Sequence, residues 1–141
     1  MPLETLFSVT TIVAMLGWLA LLASPLIPKW SERIAGVAVP LLLSAAYAVL
    51  LVLLWSDEGG YGDLAGVTAL FAQPEGVLVA WIHFLAFDLF VGAWICRQAR
   101  QDGVAFWVVI PCLAFAFLFG PVGYLMFSGL RLFAGRKTTN P

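Results

Sequence analysis

Residues 81 to 90 read WIHFLAFDLF and hold the only histidine of the chain, His83, together with an aspartate, Asp88. Imidazole and carboxyl are proton-exchanging groups, and here both stand in a run whose other residues belong in hydrocarbon. An ionised carboxylate near the centre of a bilayer costs at least about 2.5 kcal/mol even on a lenient insertion scale, so ionisable groups there are candidates for a functional site by default. A plainer use competes with that reading, because hydrogen bonds between polar side chains of neighbouring helices, worth roughly 0.6 to 2 kcal/mol each, also hold membrane bundles together.

The elements that carry these residues follow from composition and hydropathy. The chain has 141 residues, 62% of them hydrophobic and 11% charged, and a mean hydropathy of +1.00. A water-soluble domain carries about twice that charged fraction, and several apolar runs exceed the roughly 18 residues that cross a bilayer. Every backbone group in lipid must be hydrogen-bonded within its own segment, which segments of these lengths achieve only as helices. The expected fold is all-α, a polytopic membrane protein forming one membrane domain over residues 1–141.

Four spans are expected, at about residues 6–27, 34–55, 76–96 and 104–133. Pro25 and Pro28 end the first, Pro40 is expected to kink the second, and Gly120-Pro121-Val122-Gly123 is expected to bend the last. Between the second and third spans lies an acidic, glycine-rich stretch, residues 56–75, with Asp57, Glu58, Asp63 and Glu75. Within it Asp63 to Phe71 reads as a short interfacial helix with Asp63 near its N-terminus, where the helix dipole favours an anion. This stretch is the expected lid over one mouth of the bundle.

At about 100° per residue, His83, Phe87, Phe90, Trp94 and Arg97 fall on one stripe of the third span. Trp81, Leu85, Asp88, Gly92 and Ile95 fall on another. His83 and Asp88 are then about 140° apart, and one small ligand meets both only if it wraps the helix or the helix is distorted. Asp88 needs a partner from another helix, a protonated state or an interior position, and Ser44, Tyr47 and Tyr124 are its candidate partners.

Several classes fall away. No basic block points to nucleic acid, a lone histidine excludes a haem held by two, and no group of His, Cys, Asp and Glu has metal-ligand spacing. A single axial histidine to a chlorophyll-type magnesium stays open. Cys96 and Cys112 read as packed, reduced thiols. One intramembrane acid and no inverted repeat argue against a coupled transporter. The N-terminal apolar run lacks a basic flank and reads as a retained first helix.

The segment WIHFLAFDLFVGAWI, from Trp81, resembles the W-x-H-x-L-x-x-D-L-F segment of the family named for the abscisic-acid-deficient-four protein of plants. FLFGPVGYLMF, residues 117 to 127, resembles that family's second signature, and Leu70-Phe71-Ala72 extends the likeness, which covers essentially the whole chain. The resemblance implies a role in carotenoid metabolism, since plant members are required to convert violaxanthin to neoxanthin, an isomerisation that opens an epoxide and makes an allene. It further implies His83 and Asp88 as catalytic residues, with Asp88 as general acid and neutral His83 as general base. The ligand would lie along Trp81, Phe87, Phe90, Trp94, Arg97 and Pro121.

No metal or obligatory cofactor is expected, and a bound carotenoid is the anticipated ligand. The expected partners are the lipid bilayer, a carotenoid or other isoprenoid, and a membrane-protein complex or a second copy of the chain. The competing class is a non-catalytic pigment-binding or accessory subunit of a larger, photosynthetic assembly. A bacterial inner membrane, cytoplasmic or intracytoplasmic, is the expected location.

Orientation stays open. With four spans, Lys29, Arg33, Arg97 and Arg100 face one side, and Arg131, Arg136 and Lys137 the other, which nearly ties the positive-inside vote. The unbalanced acids favour the N-terminus and the acidic loop outside. A re-entrant hairpin at Pro121 would instead bring all seven basic residues to one side.

Overall fold

A computed structural model describes residues 2–55 and 59–135, and its regular elements are all helical. Helix α1 is Leu3–Leu22, α2 Pro28–Arg33, α3 Val39–Leu53, α4 Leu64–Ala72, α5 Pro74–Gln101, α6 Phe106–Leu118 and α7 Gly120–Gly135. Three of the described helices are long and apolar enough to cross a membrane: Leu3–Leu22, the continuous Pro28–Leu53, and Pro74–Gln101. Asp57, Glu58, Arg136 and Lys137, which entered the charge reading above, lie outside the described residues.

Proline sets the second span. Pro28 opens α2 at its first turn, where its missing donor costs nothing. Pro40 follows a five-residue π-helical turn, Ile34–Ala38. A proline ring collides with the carbonyl four residues earlier, here that of Gly36, and the wider π turn contains that residue. A local widening therefore stands where a kink was expected.

Helix α5 is the centre of the bundle. It runs parallel to α1, as successive contacts show: Trp81 meets Phe7 and Thr11, Gly17 abuts Leu89, and Gly92 abuts Trp18 and Leu21. Close approach at Gly17 and Gly92 is the small-residue packing that membrane helices use in place of a hydrophobic drive. The π-helical turn and α3 run antiparallel to α5, with Gly36 of the turn beside Ala93 and Tyr47 of α3 beside His83. One buried cluster joins Trp18, Leu21, Leu89, Ile95, Val109, Leu113 and Phe127; a second joins Ala14, Leu43, Leu78, Ile82 and Ala86. Leu16, Leu41, Leu42, Val52 and Leu125 lie exposed on the outer surface.

The last apolar stretch corrects the four-span expectation. It does not cross in one bent helix but folds back on itself. Phe119 leaves helical geometry at φ −145°, ψ 71°, and α7 then returns along α6, with Gly123 against the backbone of Ala116. The returning helix lays Tyr124 and Phe127 on Trp94, at ring centroid separations of 5.2 and 5.9 Å. Near its end Arg131 pairs with Asp102 at 2.5 Å, at the start of the turn from which α6 departs. The tip, Gly120, touches Asp88, about 21 Å back along α5 from Asp102 at 1.5 Å per residue.

The described residues thus form three candidate membrane-spanning helices and a hairpin of α6 and α7 packed against α5. This arrangement gathers Lys29, Arg33, Arg97, Arg100 and Arg131 at one end, where Glu32 bridges Arg97 at 2.6 Å and Arg100 at 3.0 Å. Glu4, Asp63 and Glu75 stand at the opposite end, at the starts of α1, α4 and α5.

Candidate functional site

A cavity of 560 Å³ opens between α3, α4 and α5 at the acidic end. Tyr47, Leu51 and Trp55 form one wall, Leu70 and Phe71 of α4 the roof, and Val79, His83 and Phe84 of α5 the other wall, with Glu75 near the start of that helix. A lining this apolar with a few polar groups fits an apolar ligand whose orientation those groups set.

Short-range chemistry holds the roof in place. The Asp63 carboxylate accepts a hydrogen bond from the Gly66 amide at 2.7 Å and so caps α4, as the residue type leads one to expect. Gly60 donates its amide to the Gly66 carbonyl at 3.2 Å. The preceding Gly59 has φ +107°, a conformation open chiefly to glycine. Gly76 lies against the Leu70 carbonyl so closely that a methyl group there would overlap it.

His83 stands on the cavity wall, its ring centred 5.5 Å from Tyr47 and 4.8 Å from Phe87. Phe87 and Phe90 continue down α5 with their rings exposed. Asp88 points elsewhere. Its carboxyl is half-buried against Gly120 at the hairpin tip, and it has no hydrogen bond or ion pair among the described residues. Of its expected partners, Tyr47 packs on His83 and Tyr124 on Trp94.

The other expected site residues disperse as well. Trp81 donates its indole N–H to the Thr11 hydroxyl at 3.1 Å and stacks near Phe7, which ties α5 to α1. Trp94 is covered by the returning α7, with the Arg131 guanidinium 5.9 Å from its ring. Arg97 is engaged with Glu32. Pro121 sits at the hairpin tip, exposed. Of the nominated residues, then, the structure puts only His83 on the cavity, with Phe87 against its ring. Among the described residues no group of three or more His, Cys, Asp and Glu could hold a metal ion.

Residues 5–127 match the family described as ABA DEFICIENT 4-like. The chain belongs to that family. Comparison with curated proteins and with solved structures returns no match.

In this ABA DEFICIENT 4-like protein the stretch expected as a lid supplies part of the cavity lining, whereas Leu51, Leu54, Trp55 and Val79 are cavity residues that no motif marks. Trp55, Tyr61 and Phe71 line the cavity together with Glu75, and the signal of the first three is aromatic residues in or beside an otherwise polar stretch. Tyr47, a candidate partner of Asp88 by sequence, packs beside His83 on the cavity wall instead. Gly120, expected only to bend the last span, has no side chain to keep the hairpin tip away from Asp88.

Proposed function

We propose that this ABA DEFICIENT 4-like protein takes the end group of a carotenoid-like isoprenoid from the bilayer into the cavity between α3, α4 and α5. The observation that carries the reading is an aromatic-walled cavity of 560 Å³ with His83 on its wall. Exposed Phe87 and Phe90 descend from it along α5, a surface on which a polyene chain can lie while its ring occupies the cavity. Family membership supplies the ligand class, as an analogy.

Isomerisation is the finer step of the same proposal. It moves one proton off carbon and one onto oxygen, and needs an acid and a base that reach one end group. His83 and Tyr47 face the same cavity, whereas Asp88 turns to the hairpin. The His83–Asp88 pair is accordingly replaced by His83 as base and the Tyr47 phenol as acid. In orientation, the basic end lies in the cytoplasm and the cavity opens at the opposite face, in keeping with the positive-inside rule. A bacterial inner membrane is the location that goes with this proposal.

The test is purification in mild detergent from a carotenoid-producing host, with the pigment-to-protein ratio read from absorption and chromatography. Wild type is expected to retain pigment at fixed stoichiometry. Leu51→Trp, which fills the cavity, is expected to lose it while staying folded, and His83→Ala to weaken it. Equal pigment in wild type and Leu51→Trp would overturn the site. Colourless wild type arriving with other chains would replace the proposal with the accessory-subunit reading.

A further inference from the structure

The end of the molecule remote from the cavity has a hollow of its own, of 580 Å³, between the start of α2 and the end of α5. Lys29, Arg33, Arg97 and Arg100 line it together with Glu32 and Gln101. Four cations face one carboxylate, an excess of three positive charges. Glu32 accepts one hydrogen bond from each of Arg97 and Arg100. A guanidinium carries five N–H donors in a fixed fork, and each of these two arginines gives one of them to Glu32. Lys29 and Arg33 have no acidic partner among the described residues.

We propose that this hollow binds the phosphate headgroup of an anionic phospholipid. Arginine forks and an ammonium group match phosphate oxygens in charge and geometry, and basic pockets between spans on the cytoplasmic side are where anionic headgroups bind. A membrane lipid is the source rather than a free anion because apolar surface continues from the hollow's rim. Leu26 is 85% exposed and Trp30 61%, and the Arg33 guanidinium lies 5.7 Å from the Trp30 ring. Trp30 sits where interfacial tryptophans sit, at headgroup level, and the acyl chains run from there along the outer faces of the spans.

The lipid also has a structural task. Lys29 and Arg33 of α2 meet Arg97 and Arg100 of α5 at this hollow, and an anion there neutralises charge that α2 and α5 bring together. Binding therefore stabilises the packing of the second span on the third.

The experiment is thermal unfolding of the detergent-purified full chain, followed by tryptophan fluorescence, during titration with phosphatidylglycerol, phosphatidylcholine or inorganic phosphate. Phosphatidylglycerol is expected to raise Tm, and the other two are not. In Lys29→Gln/Arg33→Gln half-saturation is expected to need roughly thirtyfold more phosphatidylglycerol, taking about 1 kcal/mol per basic residue near the surface. Arg131→Gln, which removes a cation of the same end outside the hollow, is expected to leave the titration unchanged. Native mass spectrometry of wild type, a readout independent of the variants, is expected to retain phosphatidylglycerol in preference to phosphatidylcholine. Equal shifts with phosphatidylcholine, a full shift with inorganic phosphate alone, or equal weakening by Arg131→Gln would each overturn the site.

Discussion

Two neighbourhoods on one helix separate the roles that His83 and Asp88 might have shared. Around His83, α5 faces α3 and α4 across open space, and the imidazole meets aromatic rings on a cavity wall. Around Asp88, α5 faces the hairpin tip, and backbone fills the space where a ligand would sit. Five residues turn a helix by about 140°, and that rotation is enough to move a side chain from a binding surface to a packing surface. A polar residue in a membrane span is thus a question about its neighbours: His83 lies on the wall of a cavity, and Asp88 lies half-buried against a close-packed turn.

The sharpest way to break this comparison is at the hairpin. A side chain at Gly123 would overlap the backbone of Ala116, and backbone cannot rotate away. Gly123→Val is expected to cost about 3 kcal/mol or more, the upper part of the range for overpacking, and to abolish monodisperse protein in fluorescence-detected size exclusion. Normal behaviour of this variant would mean that α6 and α7 do not pack as a hairpin.

Gly120→Ala should cost less, about 1 to 3 kcal/mol, because the obstacle is the movable carboxyl of Asp88. Asp88→Ala in the same chain is expected to recover most of that loss, and a double-mutant cycle by thermal unfolding in detergent measures the coupling. Strict additivity of the two changes would separate Asp88 from the tip. The cavity, in contrast, should answer through pigment: Leu51→Trp alters retention and leaves Tm nearly unchanged.

The smallest effect belongs to the α1 contact. Trp81→Phe keeps the ring near Phe7 and removes the hydrogen bond to Thr11. Its expected cost is about 0.6 kcal/mol, the mean for such bonds between membrane helices, with pigment retention unchanged. A loss of pigment in this variant would return Trp81 to the ligand site and blur the boundary between the two neighbourhoods.

Much of the architecture was legible before any coordinates. Run length and hydropathy identified the first three spans, and Asp63 ahead of an apolar run announced a capped helix. The motif around His83 and Asp88 carried the family. For the last stretch the sequence favoured one bent crossing and carried the re-entrant hairpin at Pro121 only as an alternative, and the structure has the hairpin. Hydropathy records that side chains avoid water; it does not record whether lipid or protein replaces the water, or in which direction the chain continues after a glycine-proline break. Likewise the helical wheel separated His83 from Asp88 but was silent on what each one faces.

By itself, then, the sequence determined an all-helical, apolar chain of membrane-protein character, its first three candidate spans, its family and the residues worth testing. Those follow from local properties: apolar length, caps, prolines and a short motif. The tertiary structure alone decided the reversal at Phe119, the placing of His83 with Tyr47 and of Asp88 with Gly120, and the gathering of basic residues at one end. Each of these depends on contacts between residues far apart in the chain, such as Arg131 with Asp102 and Arg97 with Glu32. Such contacts form only when whole helices pack, and no single segment specifies its partner.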